Sequence, residues 1–431
     1  MRLLDALFEK HGPHRNFSVR LPSDIRRCTE HETRLVHRRP APPHLPRAAE
    51  NALRITCRDP SGEDSIRDAQ VKYGQRLARQ ERWDLLSAEI ARADLHRQMT
   101  PDRMPVADLL AFGARADVVN AVEHALFEGH LSCEGPLMDG IEALEHVLAD
   151  HRGSPVVAAT VAQTHIDVAW AWRGNAWDEE LSEVHREAFE AHFDRAADIL
   201  AEHVTDTPTS PFETAARCAL LGAVHQSHHR VADQYEALID LNHANPRPMR
   251  AMGVHLLPRW HGSYAELELE ARRTASRTIE SWGAGGYTWV QMDAIMMDDT
   301  ACENLDLPFF IEGVQDILER CPDPATVNTM AAYCANGMGQ SYSGNPKADE
   351  IRRNIAECAH WIVRNHLTEL HPMIWAHAAR GFANNLPIYS CSRFAAAGRD
   401  DAIRLIMSLF SSEIEAGQQI VFTDAGPITS V

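Results

Sequence analysis

The spacing of apolar residues from Asp64 onward is the feature that most constrains how this chain can fold. Apolar side chains recur every three or four positions, as at Ile66, Ala69 and Tyr73, and the same spacing returns in successive segments to about residue 416, among them about 116–131, 155–173 and 307–320. This is the period of an α-helix that packs one face against a core. Glycines and prolines, such as Pro246, stand between the segments and favour helix ends there. The sequence therefore predicts an all-α fold.

Strand character is concentrated in one short run near the end of the sequence. The segment from Gln419 to Thr423 reads QIVFT and is rich in β-branched residues. A single strand cannot form a sheet, because its backbone groups need a partner strand. We therefore expect residues 418–431 to form a C-terminal tail that packs on the last helix.

Successive helices joined by short turns are expected to pair antiparallel and to stack as an alpha-solenoid. The window 215–248 fits the helix-turn-helix unit of about 34 residues that defines tetratricopeptide (TPR) repeats, with Leu221, Gly222 and Pro246 at signature positions. The predicted organisation is a basic, partly extended N-terminal arm at 1–63, a helical region at 64–152 and a TPR-like helical-repeat region at 153–417.

Three short segments between residues 165 and 380 resemble known proteins. They are AWRG at 171–174, PRWHGS at 258–263 and HPMIW at 371–375. Their order resembles that of a group of bacterial tetratricopeptide-like proteins without an established activity, although that group commonly has a second glycine where His261 stands here. The resemblance implies a TPR-like helical-repeat fold and no particular chemistry.

The PRWHGS segment also has a direct physical interpretation. Pro258 ends one helix, Trp260 packs in the junction, and Gly262 makes the turn. Ser263 can cap the next helix, and Glu266 three residues later completes a capping box. We therefore expect a structural role for this segment, with the Trp260 indole in the core.

Charge is distributed unevenly along the chain. The 61 acidic and 42 basic residues give a net charge of -19, yet residues 1–60 carry +5 and the remainder -24. The segment 38–47 holds four prolines, which favours an extended path in the arm. An acidic body repels nucleic acid and anionic membranes. The predicted partner is therefore a basic protein or peptide, with no nucleic acid and no membrane.

The cysteine pattern and the hydropathy of the sequence indicate the cellular compartment in which the protein is expected. The nine cysteines include no CxxC pair, which is typical of buried thiols in a reducing cytoplasm. No stretch reaches the roughly 20 apolar residues of a membrane span, and Asp5 and Glu9 interrupt the first apolar run where a signal peptide would be apolar. We therefore expect a cytoplasmic protein, and the sequence leaves its oligomeric state open.

A histidine cluster provides an alternative, enzymatic interpretation. His225, His228, His229 and Asp233 form an H-x-x-H-H-x-x-x-D pattern, and on a continuous helix three of them would share a face. Imidazole and carboxylate bind zinc, so the alternative function is a metal-dependent hydrolase that activates water with this cluster or with the pair His165 and Asp167. In the TPR register, however, residues 225–229 fall in the turn between two helices, where histidines are solvated.

Two further polar pairs have simpler explanations. His165 with Asp167 is explained by a buried hydrogen bond, and Asp298 with Asp299 by the solvated end of a helix rather than by a cation site. The sequence contains no nucleophile elbow, no phosphate-binding loop and no complete set of zinc ligands. We therefore predict no cofactor.

Aromatic residues supply candidate binding anchors, because tryptophan and tyrosine are enriched at protein interfaces. The candidates are Trp170, Trp172, Trp260, Tyr264, Trp282, Trp289 and Trp375. Most are expected in the core, with a minority lining a groove. Together with the charge, they predict a non-enzymatic scaffold, adaptor or inhibitor that binds a basic protein or peptide on an acidic helical-repeat surface.

Overall fold

Helices dominate the secondary structure. The computed structural model describes residues 52–129, 137–174, 181–203, 208–223, 231–380 and 390–430. Within these ranges the protein is mostly helical, which confirms the predicted helical class. None of the helices described there combines the length and the apolar character that a membrane span requires.

The helix bounds follow the chain order. The helices are α1 (Gly62–Arg79), α2 (Trp83–Leu95), α3 (Val106–Phe127), α4 (Asp139–Asp150), α5 (Pro155–Arg173), α6 (Glu183–Ala201), α7 (Pro211–Ala219), α8 (Val231–Leu241), α9 (Arg247–His255), α10 (Tyr264–Arg277), α11 (Ile279–Trp282), α12 (Gly285–Met297), α13 (Asp299–Glu303), α14 (Leu307–Arg320), α15 (Pro324–Ala332), α16 (Pro346–Asn365), α17 (Pro372–Ala378), α18 (Cys391–Leu409) and α19 (Ser411–Glu415). A 3-10 turn at Leu220–Gly222 follows α7, and a π-helical segment at Tyr333–Met338 follows α15.

The strands form two small sheets. They are β1 (Leu53–Arg54), β2 (Thr56–Cys57), β3 (Glu369–Leu370), β4 (Gln419–Thr423) and β5 (Gly426–Ser430). Strand β4 lies between β1, which is parallel to it, and β5, which is antiparallel to it. Strands β2 and β3 pair in parallel in the second sheet.

The expectation of an isolated C-terminal strand is wrong. Strand β4 has partners on both sides, with Leu53 opposite Ile420 and Ile428 opposite Val421. A two-residue strand such as β1 is too short to show a period, and glycine and proline at the start of β5 are depleted in strands. Residues 1–51 of the predicted arm lie outside the described ranges, and the strands at 53–57 have the extended backbone expected there.

The chain divides into two compact units. The first contains Ser65–Pro248, and the second contains residues 52–64 and 249–430. The boundary at 248 lies inside the segment 153–417, for which the sequence predicts one repeat region.

Helix α5 is the central helix of the first unit. Ser154 caps its start by accepting a hydrogen bond from a backbone N–H three residues later, and Gly174 ends it with a positive φ of 56°. It packs against α2, α3, α4, α6 and α7. Ala158, Ala159 and Ala162 are fully buried, and their small side chains let neighbouring helices approach closely. A helix that is apolar on nearly all sides belongs inside a core.

Helices α1 and α3 cross at two glycines of the same unit. A Cβ atom on Gly74 would lie 2.0 Å from the backbone oxygen of Leu110. One on Gly113 would lie 1.9 Å from the backbone oxygen of Val71. Both distances are far inside van der Waals contact, so this crossing requires glycine at both positions.

Helix α12 is the central helix of the second unit. It packs against α10, with Gly286 beside Ala275 and Gln291 bonded to Glu268, and against α14, with Gly285 beside Ile317 and Thr288 bonded to Phe310, so it is antiparallel to both. The Tyr287 hydroxyl donates to Oε2 of Glu268 on α10 at 2.7 Å, and the Thr288 hydroxyl donates to the backbone oxygen of Phe310 on α14 at 2.9 Å. Residues 285–292 are all buried, as expected of a helix covered by neighbours.

The PRWHGS segment forms the turn between α9 and α10. Ser263 caps α10 by accepting a hydrogen bond from the backbone N–H of Glu266 at 3.2 Å, which confirms the predicted cap. The expected burial of Trp260 is wrong, because the turn carries the indole to the surface of its unit. Its exposed fraction is 38%, and its ring lies 6.0 Å from that of His255.

Candidate functional site

One face of helix α6 carries a row of carboxylates. Glu183, Glu187, Glu190, Asp194 and Asp198 follow one another at spacings of four, three, four and four residues, which places them on a single helical face. We call these five residues the acidic face. All but Glu187 are classed as exposed, whereas the opposite side of the helix is buried against α5. The amphipathic pattern of the sequence therefore fixes the acidic face toward solvent.

Helix α6 also carries two arginines, Arg186 and Arg195, against the five carboxylates of the acidic face. Within the described ranges, no side-chain ion pair involves Glu183, Glu190, Asp194 or Asp198. Arg195 lies on the same helix but donates from Nε and Nη2 to the two carboxylate oxygens of Glu145 on α4, at 2.7 and 2.6 Å. The acidic face therefore presents a negative potential to solvent.

A buried polar cluster lies on the other side of α6. His165 of α5 and His192 of α6 share a hydrogen bond between their Nδ1 atoms at 2.9 Å, and His165 Nε2 lies 3.0 Å from Oε1 of Glu145. Arg195 completes the cluster through its two hydrogen bonds to Glu145. The cluster ties α4, α5 and α6 together by polar contacts.

The environment sets the protonation of this cluster. Burial lowers the pKa of His192 to about 3, and the neighbouring His165 adds to this effect. Burial alone would raise the pKa of Glu145, but the hydrogen bonds from Arg195 and His165 outweigh it and hold that pKa well below its usual range. At neutral pH the cluster thus contains an ionised Glu145 and an uncharged His192.

The polar pair of His165 and Asp167 is separated in the structure. Residues two apart on a helix point in nearly opposite directions. His165 faces His192, whereas Asp167 accepts a hydrogen bond at 2.6 Å from Arg115 on α3. A buried hydrogen bond does explain His165, as expected, but its partners are Glu145 and His192.

The predicted metal cluster is largely beyond what the structure describes. His225, His228 and His229 lie outside the described residues, and Asp233 lies on α8. Among the described residues, no group of three or more histidine, cysteine or acidic side chains could hold a metal ion. The hydrolase alternative stays a prediction.

The neighbouring carboxylates of Asp298 and Asp299 serve the protein itself. Asp298 caps α13 by accepting a hydrogen bond from the backbone N–H of Ala301 at 2.9 Å. Asp299 accepts one from the buried Arg352 at 2.7 Å, and Arg352 also pairs with Asp349. These contacts support the structural interpretation of the two aspartates.

The seven aromatic candidates occupy different environments. Four are buried, namely Trp172, Trp282, Trp289 and Trp375. Trp170 is half-buried and meets Phe189 and Phe193 edge to face, with ring centroids 5.3 and 6.0 Å apart. Tyr264 is half-buried, and its hydroxyl donates to Asp298 at 3.3 Å. Trp260 is the most exposed of the seven and offers the largest free surface to a partner.

The acidic face is missing from the sequence-based candidates, which use the net charge of the whole body. The spacing of its carboxylates is the signal that could have identified it. Its carboxylates lie within the segment EVHREAFEAHFD and the residues that follow, at helical intervals.

No family model, curated protein or solved structure matches the chain. The arrangement of the described residues is therefore the basis for proposing a function.

Proposed function

We propose that this protein is a non-enzymatic helical scaffold that binds a basic protein or peptide on the acidic face of α6. The observation that carries the proposal is the row of five carboxylates on one helical face, four of which are exposed and form no ion pair among the described residues. From Glu183 to Asp198 this row extends about 22 Å, which matches a basic segment of several residues. Charge complementarity of this kind steers association and selects a partner of opposite charge.

The stability of α6 alone does not explain its charges. Asp198 and Glu202 lie at the carboxyl end of the helix, where the helix dipole disfavours negative side chains. Arg195 attracts both carboxylates and offsets part of this cost, but its hydrogen bonds go to Glu145. Acidic residues in a position that costs stability favour a role in binding.

Exposed ion pairs contribute only about 0 to 1 kcal/mol each, so several contacts must act together. The exposed Val184 on the same helix supplies an apolar contact beside the acidic face. The proposal therefore predicts binding that depends on several carboxylates and weakens with salt.

The proposal includes a TPR-like arrangement in a reducing, cytoplasmic compartment. The antiparallel succession of α10, α12 and α14 supports such an arrangement within the second unit. Among the described cysteines, Cys218, Cys302, Cys321, Cys334 and Cys358 are buried free thiols, which supports a reducing compartment.

The test is fluorescence anisotropy with a labelled lysine- and arginine-rich peptide and the full-length protein. We expect the fourfold variant Glu183→Gln, Glu190→Gln, Asp194→Asn and Asp198→Asn to bind at least about 10-fold more weakly. Affinity of the unaltered protein should also fall steeply between about 50 mM and about 500 mM salt.

A matched control removes the same charge elsewhere. Glu312, Glu319, Glu350 and Glu357 are classed as exposed in the second unit, and their replacement by glutamine changes the net charge equally. We expect this control to lose less than about 3-fold in affinity, as typical of long-range charge effects alone. Equal losses in both variants would contradict the proposal, because net charge and not the acidic face would then determine binding.

A further inference from the structure

A recess in the first unit is lined by residues from helices that are distant in sequence. It lies among α2, the turn that follows α2, α3, α7 and α8. Phe212 and Leu238 supply buried apolar walls, and the polar lining residues are Asp94, Arg97, Gln98, Asp108, Asn242 and Asn245. The cavity volume is about 20 Å³. That is room for one group of about the size of a water molecule or an ammonium.

Hydrogen-bond acceptors in the recess remain available. In the part of the chain that the structure describes, Asp108 accepts no side-chain hydrogen bond or ion pair. Asp94 uses Oδ1 to accept from the backbone N–H of Phe212 at 2.9 Å, and no described residue donates to its Oδ2. Asn242 directs its amide N–H toward the Met99 sulfur at 3.7 Å, and no described residue donates to its carbonyl oxygen.

Arg97, the arginine that lines the recess, uses its side-chain donors for hydrogen bonds to the backbone. Arg97 donates to the backbone oxygens of Leu241, Asp94 and Thr209. Its hydrogen-bond donors are therefore directed at the chain and not at either carboxylate. Among the lining residues, two aspartates face one arginine, and Arg247 and Arg115 lie within electrostatic range of Asp108 without forming an ion pair with it among the described residues.

We propose that this recess binds the ammonium group of a primary amine, with Asp108 as its counter-ion. An ammonium group has three donors, and Asp108, Asp94 and Asn242 provide acceptors for them. Because the cavity has room for the ammonium group alone, the attached carbon chain would extend out of the recess. The amine is either a free alkylamine or a lysine side chain, since both present the same group.

The electrostatic surroundings of Asp108 support this assignment. Burial raises the pKa of its carboxyl group, against the opposing influence of Arg247 and Arg115, and Asp94 adds to the increase. A cation bound at Asp108 favours the ionised form. Binding should therefore release protons and weaken as pH falls.

The test is isothermal titration calorimetry of the full-length protein with butylammonium chloride. We expect a dissociation constant on the order of 1 mM, as suits a ligand of so few atoms. Butanol has the same size without the charge and should bind at least about 10-fold more weakly, because a charged donor forms stronger hydrogen bonds to a carboxylate. Equal binding of butanol would overturn the proposal, and so would no binding of butylammonium.

Two variants locate the ligand. Asp108→Asn removes the charge without changing shape and should weaken butylammonium binding at least about 10-fold. Asp94→Asn should have a smaller effect, because asparagine can still accept from the N–H of Phe212. The control is Asp84→Asn, since Asp84 is a strongly exposed residue of α2 outside the recess. Circular dichroism and the melting temperature check that each variant is folded.

Two further titrations, with potassium and with a lysine-containing tripeptide, distinguish a metal cation, a free amine and a lysine side chain as the ligand. Displacement of butylammonium by potassium at equal concentration would overturn the assignment in favour of a monovalent metal ion. Tighter binding of a lysine-containing tripeptide than of butylammonium would support the site with a peptide as its ligand. Weaker binding of the tripeptide would support the site with a free amine. Unchanged butylammonium binding by Asp108→Asn would overturn the proposal.

Discussion

The buried His192 makes the stability of the first unit sensitive to acid. In the unfolded chain a histidine takes up a proton near pH 6.5, whereas burial lowers the folded pKa of His192 to about 3. Between these values the unfolded state binds one more proton than the folded state. The contribution of His192 to stability is therefore fully present above about pH 6.5 and is lost as pH falls, by about 1.4 kcal/mol per pH unit.

Replacing His192 tests this expectation. In His192→Phe we expect the free energy of unfolding to fall less steeply between about pH 6.5 and 5. Its slope against pH should correspond to the uptake of roughly one proton fewer on unfolding. Urea denaturation at several pH values measures the slope independently of any change in absolute stability. His146→Gln is the control, since His146 is exposed on α4. An unchanged slope in His192→Phe would show that another group binds the proton.

Two tryptophans should differ sharply in their contribution to stability. Trp375 is fully buried, and its indole N–H donates to Oδ1 of Asn328 at 2.9 Å. We expect Trp375→Ala to cost about 3 to 5 kcal/mol. Trp260, at 38% exposed, should cost about 1 kcal/mol when replaced by alanine. Chemical denaturation of both variants measures the difference, and equal losses would contradict the burial described above.

At the scale of single elements, the glycine crossing of α1 and α3 should tolerate no side chain. Gly113→Ala would place a methyl group 1.9 Å from the backbone oxygen of Val71, so the two helices would have to separate. We expect a loss of about 3 kcal/mol, at the upper end of overpacking effects. Thermal denaturation compares it with Gly153→Ala, where no atom lies within 4 Å of the added carbon. A comparable loss at Gly153 would refute the explanation by close approach.

Helices with clear end signals could be predicted well from the sequence. The predicted segments 155–173 and 307–320 coincide with α5 and α14, because each begins with a capping Ser or Asp and an early proline. The start of helix α3 could not be predicted as well. The sequence pattern suggests a start at about 116, whereas α3 begins at Val106, because the segment at 106–114 is largely apolar on all sides and has no amphipathic period.

The two proposed sites also differ in how far the sequence can predict them, because one is local and the other joins distant segments. The acidic face is local, so helical spacing within 183–198 is sufficient to predict it once the helix is recognised. The ammonium recess is built from residues between Ala93 and Asn245. Spacing along the sequence carries no information about contacts between such distant segments. The availability of Asp108 therefore becomes visible only in three dimensions.

At the scale of the whole molecule, the small three-stranded sheet should contribute to the second unit without affecting the first. Ile420 on β4 is fully buried opposite Leu53. We expect Ile420→Asp to remove hydrogen-exchange protection from the sheet and nearby parts of the second unit, since an unpaired charge would be buried. Protection in residues 65–248 should be retained.

The matched control lies in the same sheet. Ile428 is 53% exposed on β5, so Ile428→Asp should leave protection nearly unchanged. Hydrogen exchange with mass spectrometry follows both units in one experiment. A loss of protection in both units with Ile420→Asp would contradict their separate response.

The pairing of β1 with β4 has a consequence for biosynthesis. Leu53 leaves the ribosome long before Ile420 is made, yet the two residues are opposite one another in the sheet. The first unit can fold as soon as its last helices emerge, because all of its chain has then been translated. The segment that contains β1 must wait without its partner until β4 has been translated. The three-stranded sheet therefore forms only after the whole of the first unit has been translated.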